Sequence, residues 1–544
     1  VAANNASNLS NADLILNNST VTVNGNVDTF DRVTVAAGSS GTFTLGGLGF
    51  SAPDSTIAGI SQLSVGSLDL NAGQTLRIQV SAPAANGDLL GSVAQTNLIS
   101  GGMSPFQTLI STDKGITING GTVELVDAAG NAVADDIRFS QQINNAEGTT
   151  TVASGYYSIE PGVTNNDLAL GIGYTLERID ILSTLTLSEE GTVEAQITSN
   201  STSGNLTIAS GGNITLTNSG NEFTGDTTIA SGGRLVAHEK ALGKTDDLVV
   251  SGTYVNSGAN AVNRVEVDGS GQLTLNADLT LENSGAGTVS STISGAITRK
   301  GNLAVEQGTL LITENAGSSD YAGAVVLGMT GSTDAMLVLN GADGLGSGSI
   351  VFNTEDSLVQ INDASNVLFS NAMTGQGVIS VNLSGTGTEI YEFAFKSTQD
   401  ELASGSSLIL DKANFDLTAS DVNVNDNVAQ KFIITVNQGS TLSNDGTANK
   451  TIAGLKLYGG TVDMGVLESG TGQISLNNGT LTIDQGTTNT IVLDSQAQTS
   501  ESGDRTISSG GQELLAGGLF DLTIFENVAS VSGSDGSNVL GTSD

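Results

Sequence analysis

The chain has 544 residues, of which 71 are Gly and only 4 are Pro, and it contains neither Cys nor Trp. Its 56 acidic and 17 basic residues give a formal net charge of −39, which disfavours nucleic acid and anionic membranes as partners. One His and no Cys exclude a cysteine nucleophile and a zinc site built on Cys and His clusters. The lack of Cys also fits secretion of an unfolded chain through a narrow pore.

The first predicted segment, residues 1–125, alternates apolar and small polar residues in short bursts. The bursts at 13–25, 31–45 and 67–80 each begin or end near Gly or Asn. This period of two predicts short strands separated by turns, without helices. We therefore expect residues 1–125 to form the N-terminal coils of a β-solenoid.

The second segment, residues 126–182, carries a local concentration of charged and aromatic side chains. We interpret it as an excursion from the coils that contains a hairpin and ends in a strand at 167–173. Its exposed polar and aromatic residues are candidates for ligand contact, namely Asp135, Asp136, Glu147, Tyr156 and Tyr157.

Regular strand-and-turn repeats return over residues 183–490. A turn followed by a strand recurs as GGTVEL at 120–125, QGTLLI at 307–312, GGTVDM at 459–464 and NGTLTI at 478–483. Strand units repeated along a chain predict stacked parallel coils, with every strand hydrogen-bonded to the coils above and below.

The more polar residues 491–544 are predicted to be the last coils or a junction to a C-terminal translocator. The predicted fold class is all-β, a parallel β-helix rod of coils of a little over 20 residues.

One stretch, residues 220–243, resembles the passenger-associated transport repeat of bacterial autotransporters. The matching residues are Phe223-Thr224-Gly225, Gly233-Arg234-Leu235 and Ala241-Leu242-Gly243. A stretched second copy keeps Tyr321-Ala322-Gly323 and Gly344-Leu345-Gly346. The clear match covers only about 30 residues and is specific for passengers rather than for one activity.

Residues 166–187 also resemble a stretch found ahead of these repeats in AIDA-type autotransporter adhesins. The resemblance implies a right-handed parallel β-helix on the bacterial cell surface, attached to the outer membrane only through a C-terminal barrel that this chain lacks. It implies an adhesin that mediates cell aggregation, biofilm formation, or attachment to a host matrix protein or glycan. No cofactor and no enzymatic activity are expected.

Basic residues are few, so their positions are informative. Arg234, His238, Lys240 and Lys244 lie within or beside one repeat, and Arg299 and Lys300 form a second group. Ordinary solvation is the simpler interpretation of these residues. If they line up on one flank, they would form a strip that attracts anionic glycans.

Two classes of enzyme are the alternatives to an adhesin. A serine protease needs a Ser, His and Asp set, and the single His238 lies inside the repeat itself. A polysaccharide hydrolase or lyase on a β-helix needs a composite groove, which a single sequence leaves open. Self-association would appear as clumping of cells without host material, matrix binding as coating of an immobilised ligand, and polysaccharide cleavage as released reducing or unsaturated ends.

Overall fold

The computed structural model describes most of the chain between residues 2 and 533. The described ranges are 2–4, 11–24, 27–45, 63–79, 88–95, 98–99, 106–126, 129–132, 139–164, 167–199, 204–284, 290–313, 320–329, 334–341, 345–384, 390–396, 402–417, 431–444, 450–463, 474–476, 481–483, 489–493, 506–509, 512–515 and 528–533.

The chain divides into two compact units. Unit 1 comprises residues 1–227 and 241–244, and unit 2 comprises residues 228–240 and 245–544. Both are built from β-strands, and no α-helix occurs among the described residues. The stacked parallel strands form a β-solenoid, which confirms the predicted fold class.

The strands of unit 1 are β1 Ala2–Asn4, β2 Asp13–Leu16, β3 Ser19–Asn24, β4 Val27–Val35, β5 Ser40–Leu45, β6 Leu63–Asn71, β7 Thr75–Gln79, β8 Asp88–Ala94, β9 Phe106–Thr112, β10 Ile116–Asn119, β11 Thr122–Val126, β12 Phe139–Asn144, β13 Thr151–Thr164, β14 Ala169–Ile181, β15 Thr184–Leu187, β16 Glu190–Val193, β17 Gln196–Ser199, β18 Asn205–Ile208 and β19 Asn213–Leu216. Strand β20, Thr227–Ile229, includes the point in the sequence where unit 2 begins.

The strands of unit 2 are β21 Arg234–Ala237, β22 Asp247–Val250, β23 Thr253–Asn256, β24 Asn260–Val262, β25 Arg264–Val267, β26 Gln272–Leu275, β27 Leu279–Leu281, β28 Ser290–Ile293, β29 Ala296–Arg299, β30 Leu303–Val305, β31 Gly308–Ile312, β32 Ala324–Leu327, β33 Ala335–Asn340, β34 Ser349–Phe352, β35 Leu358–Asn362, β36 Val367–Phe369, β37 Met373–Gly375, β38 Val378–Asn382, β39 Tyr391–Phe395, β40 Ser406–Asp411, β41 Ala413–Asp416, β42 Phe432–Asn437, β43 Thr441–Ser443, β44 Lys450–Ile452, β45 Gly454–Tyr458, β46 Thr461–Asp463, β47 Ile474–Leu476, β48 Leu481–Ile483, β49 Asn489–Leu493, β50 Thr506–Ser509, β51 Gln512–Leu515 and β52 Val528–Gly533.

Unit 1 begins as two parallel sheets. One has the order β1-β3-β5-β7-β11, and the other starts as β2-β4-β6-β9. Strands alternate between the two sheets along the chain, so successive coils contribute one strand to each. The buried aliphatic side chains of both sheets share one core, which includes Val33, Phe43, Leu68 and Leu76.

The segment predicted to leave the coils contains a long antiparallel hairpin. Strand β13 pairs with β14 from Ala153↔Ile181 to Thr164↔Ala169. The hairpin is a continuous part of a sheet, because β14 also pairs antiparallel with β9 and β13 pairs antiparallel with β12. The strand expected at 167–173 therefore begins at Ala169 and is much longer than the sequence pattern suggested.

Unit 2 is a regular stack of parallel coils. Its longest row of strands runs β22-β25-β28-β31-β33-β35-β38-β40-β42-β45-β48, and two further rows are β21-β23-β26-β29 and β24-β27-β30-β32-β34-β37. From β36 onward another row has the order β36-β39-β41-β43-β46-β49-β52, and the remaining sheet has the order β44-β47-β50-β51. Coil length varies widely. The register partners Leu248 and Val265 are close in the sequence, whereas the register partners Ile491 and Val531 are much farther apart in it.

Aliphatic side chains stack on one another inside unit 2. Leu310, Leu337, Val359, Ile379 and Leu408 are successive register partners, and each is 0% exposed. Burying each such side chain stabilises the fold by about 1.5–3 kcal/mol before entropic costs. Since an added or missing residue would turn the aliphatic side outward, this inner column also fixes the register.

No described helix offers a span long and apolar enough to cross a membrane.

Candidate ligand-binding surfaces

The structure places the candidates from residues 126–182 in different environments. Asp135 and Asp136 lie outside the described residues, and Glu147 is exposed in the turn between β12 and β13. Tyr156 is half-buried on β13. Tyr157 is only 3% exposed, and its hydroxyl donates to Gln141 Oε1 at 2.8 Å, so it packs in the core of unit 1 and offers no free surface.

Tyr156 belongs to a rigid polar cluster on the hairpin. The Arg178 guanidinium lies 4.3 Å from the centroid of the Tyr156 ring and is held by both carboxylate oxygens of Asp180, at 2.9 and 3.3 Å. Thr198 donates a further hydrogen bond to Asp180. The Tyr156 ring and the Asp180 carboxylate thus both contact the Arg178 guanidinium. The cluster stabilises the pairing of β14 with β17.

The basic residues of the repeat are at the surface. Arg234, His238 and Lys240 are exposed in unit 2, and Lys244 is exposed in unit 1. The side chain of Asn260 donates to the main-chain carbonyl of His238 at 2.9 Å, which fixes the turn that carries His238 and Lys240.

A cleft lies in unit 2 beside the second basic group. Its volume is about 570 Å³, and its lining residues are Thr274, Asn276, Thr298, Arg299, Lys300, Asp320 and Ala322. Of these residues, the sequence predicted a binding role only for Arg299 and Lys300. Thr298 shares strand β29 with Arg299, and the remaining lining residues come from neighbouring coils that the register of the stack brings together.

Successive corners of the solenoid build this cleft. The amide of Gly301 donates to the Leu275 carbonyl at 2.8 Å, and the amide of Ala322 donates to the Arg299 carbonyl at 2.8 Å. These hydrogen bonds stack the corner after β29 on the corner after β26, and the Ala322 turn on the corner after β29. The backbone of Arg299 has a φ of 81°, a left-handed conformation that turns the chain out of β29.

A buried amide network fixes the corner below the cleft. The Asn256 side chain donates to the carbonyls of Ala277 and Asp278 at 2.8 and 2.9 Å. Asn256 Oδ1 in turn accepts from the Tyr254 hydroxyl at 2.8 Å and from the side chain of Asn260 at 2.9 Å. Burial raises the pKa of the Tyr254 hydroxyl, so it remains a hydrogen-bond donor. Asn276 therefore sits on a rigid turn.

The opposite side of the cleft is anchored by Tyr321. Its side chain is fully buried, and its hydroxyl donates to the Ala324 carbonyl at 2.8 Å. Burial raises the pKa of this hydroxyl, which keeps it protonated. Because Tyr321 lies between Asp320 and Ala322 in the sequence, this anchor holds both lining residues in place.

A second surface feature is a row of polar residues at the ends of four consecutive strands, which we name the Asn row. It comprises Asn340, Asn362, Asn382 and Asp411, which are successive register partners. Asn362 Nδ2 donates to Asn340 Oδ1 at 3.0 Å across two coils. Asn340 is exposed and the other members are half-buried, so the row presents a repeated set of donors and acceptors.

Comparison of the chain with protein-family models, with curated proteins and with solved structures finds no match. The fold defines the class of protein, a β-solenoid.

Proposed function

We propose that this chain is the passenger domain of a bacterial autotransporter and acts at the cell surface as an adhesin. The resemblance of residues 220–243 to the transport repeat supports the export route. The Asn row carries the adhesive part of the proposal, because it repeats polar side chains at matching register positions from coil to coil.

Parallel coils suit multivalent adhesion. Each coil of the Asn row offers amide or carboxylate groups at one repeat distance, about 4.8 Å from the next. A single hydrogen bond of this kind contributes only about 1 kcal/mol, but linked contacts add through effective concentration. Copies of the chain on facing cells would thus associate through many weak contacts and cause aggregation and biofilm growth. Attachment to a host matrix protein or glycan would use the same multivalency.

The test is display of the chain on a bacterial host that does not aggregate, followed by measurement of settling in still culture. We expect displaying cells to settle faster than cells with an empty display scaffold. Alanine replacement of Asn340, Asn362 and Asn382 should slow settling. The matched control replaces Thr186, Thr207 and Thr215 by alanine, three half-buried outward residues of unit 1, and should settle like the unchanged chain.

Other results of this experiment would distinguish self-association from host attachment and from enzymatic activity. Cells that stay suspended but coat an immobilised matrix protein would replace self-association by host attachment. Equal settling by the Asn-row variant and the unchanged chain would remove the Asn row from the contact. Release of reducing or unsaturated sugar ends from a polysaccharide would contradict the adhesin and favour the enzyme.

A further inference from the structure

We propose that the cleft beside Arg299 and Lys300 is a binding site for an acidic sugar, whose carboxylate or sulfate these two side chains hold. We name it the corner cleft. Both side chains are exposed, and both line the cleft. The inference goes beyond surface adhesion, because it assigns a ligand class to a defined site that a purified chain can be tested for.

The corner cleft carries two positively charged side chains. Among the described residues, neither Arg299 nor Lys300 forms an ion pair, whereas Arg32, Arg77, Lys114, Arg178 and Arg264 all do. In a chain with a net charge of −39, two adjacent unpaired cations make a local positive site. The planar Arg299 guanidinium matches the geometry of a carboxylate or sulfate, and Lys300 adds a second positive charge.

The remaining lining groups suit sugar hydroxyls. Thr298 Oγ1 donates to Thr274 Oγ1 at 3.2 Å, so hydroxyls from two coils lie side by side. Asn276 can donate and accept, and the exposed Asp320 carboxylate accepts from paired hydroxyls. Ala322 is the sole apolar side chain among the described lining residues. A polar ligand with several hydroxyl groups therefore fits this lining better than an apolar one.

Size and rigidity support the same assignment. The volume of about 570 Å³ falls within the range of roughly 300–1,000 Å³ that small-ligand clefts span. The Arg299 backbone has a φ of 81°, and a non-glycine residue in this region costs free energy that the surrounding structure must offset. The Tyr321 anchor and the Asn256 network hold the walls before any ligand arrives, which lowers the entropic cost of binding.

The experiment uses the purified full chain and ligand-observed saturation-transfer NMR. The probes are sialyllactose, which carries a carboxylate, sulfated lactose, and neutral lactose as the control. We expect transfer to one or both acidic sugars, a weak signal for lactose, and weaker transfer as salt rises, since the contact is electrostatic.

Variants locate the site. Arg299→Asn removes the charge, and Asn tolerates a left-handed backbone better than most residues. The matched control is Lys412→Asn, because Lys412 is also an exposed cation with a positive φ, 54°, at another corner. We expect Arg299→Asn to weaken binding of the acidic sugar at least about tenfold. Lys412→Asn should leave binding unchanged, and circular dichroism should show that both variants are folded.

The three sugar probes distinguish the possible ligands. Binding of sialyllactose alone identifies a carboxylate ligand, and binding of sulfated lactose alone identifies a sulfate ligand. Equal transfer to lactose, equal loss in both variants, or no transfer to any probe would overturn the inference. Binding by the purified chain without settling of displaying cells would uphold the corner cleft and contradict self-association, so the two proposals fail separately.

Discussion

The side chain of Asn221 joins two distant parts of the transport-repeat-like stretch. Its Nδ2 donates to the main-chain carbonyl of Ala241 at 2.7 Å, and its Oδ1 accepts from the amide of Ile197 at 2.7 Å. The neighbouring Phe223 and Leu242 are fully buried. The repeat phrase therefore encodes a buried core and the turn that closes on it.

Replacing Asn221 by Leu should destabilise unit 1. The buried amide of Ile197 and the carbonyl of Ala241 would lose their partners, at a cost of about 1–3 kcal/mol each. Amide hydrogen exchange at Ile197 is the measurement, and it should become faster. The control is Asn218→Ala. Half-buried Asn218 also bridges two coils, through a hydrogen bond to the Glu194 carbonyl at 2.8 Å, but water can reach and replace this bond. Equal effects of the two replacements would contradict the role of burial.

A cluster of buried phenylalanines should carry much of the stability of later coils in unit 2. Phe395 is 0% exposed, stacks on Phe432 with centroids 5.8 Å apart, and meets Phe393 edge-on at 5.1 Å. Phe395→Ala should cost about 3–5 kcal/mol, because the cavity cannot collapse between stacked coils. Protease susceptibility measures the local opening. Leu368→Ala, at a side chain 40% exposed, should have little effect, and a comparable effect would count against the cluster.

Two glutamates one coil apart should make stability depend on pH. The amide of Glu306 donates to the Leu281 carbonyl, which places Glu306 beside Glu282 in the stack. Burial and, secondly, the charge of Glu282 raise the pKa of Glu306 above its ordinary value of 4.5. The folded state then binds the proton more tightly than the unfolded state. The free energy of unfolding therefore falls as pH rises from about 4.5 through the raised pKa.

Glu306→Gln removes the free-energy cost of ionising this carboxyl group in the folded state. At neutral pH we expect the variant to be more stable than the unchanged chain, because its amide has no charge to desolvate and none for Glu282 to repel; the repulsion alone is worth about 0.5 kcal/mol. The gain should vanish below the ordinary pKa of Glu, where both chains are neutral at this position. Urea unfolding midpoints at acidic and neutral pH test this. The exposed Glu266→Gln is the control, and the same pH-dependent gain there would refute the assignment to Glu306.

Salt should strengthen self-association between copies of this chain. The net charge of −39 opposes close approach, and salt screens that repulsion, with a Debye length of about 10 Å at 0.1 M. Settling of displaying cells should therefore become faster as sodium chloride is raised. Slower settling at high salt would mean that ion pairs, rather than polar contacts between chains that repel one another, hold the cells together.

Local patterns in the sequence determined the secondary structure and the fold class. The period of two, as in the buried Leu206 and Ile208 of β18, placed alternate residues inside, and the recurring Gly-Thr turns predicted stacked parallel coils. The length of the hairpin strands was not predictable, because β13 and β14 are extended by their pairing with β12 and β9 and not by their own pattern.

Tertiary structure alone decided which side chains share a surface. In unit 2 the sequence distance between register partners is short for Leu248 and Val265 and much longer for Ile491 and Val531, so sequence spacing does not reveal the stacking partner. Thr274 meets Thr298, and Asn340 meets Asn362, only because the inner aliphatic columns lock the register between coils. The sequence by itself determined that this protein is a solenoid of strands, whereas hydrogen bonding and packing between coils determined the corner cleft and the Asn row.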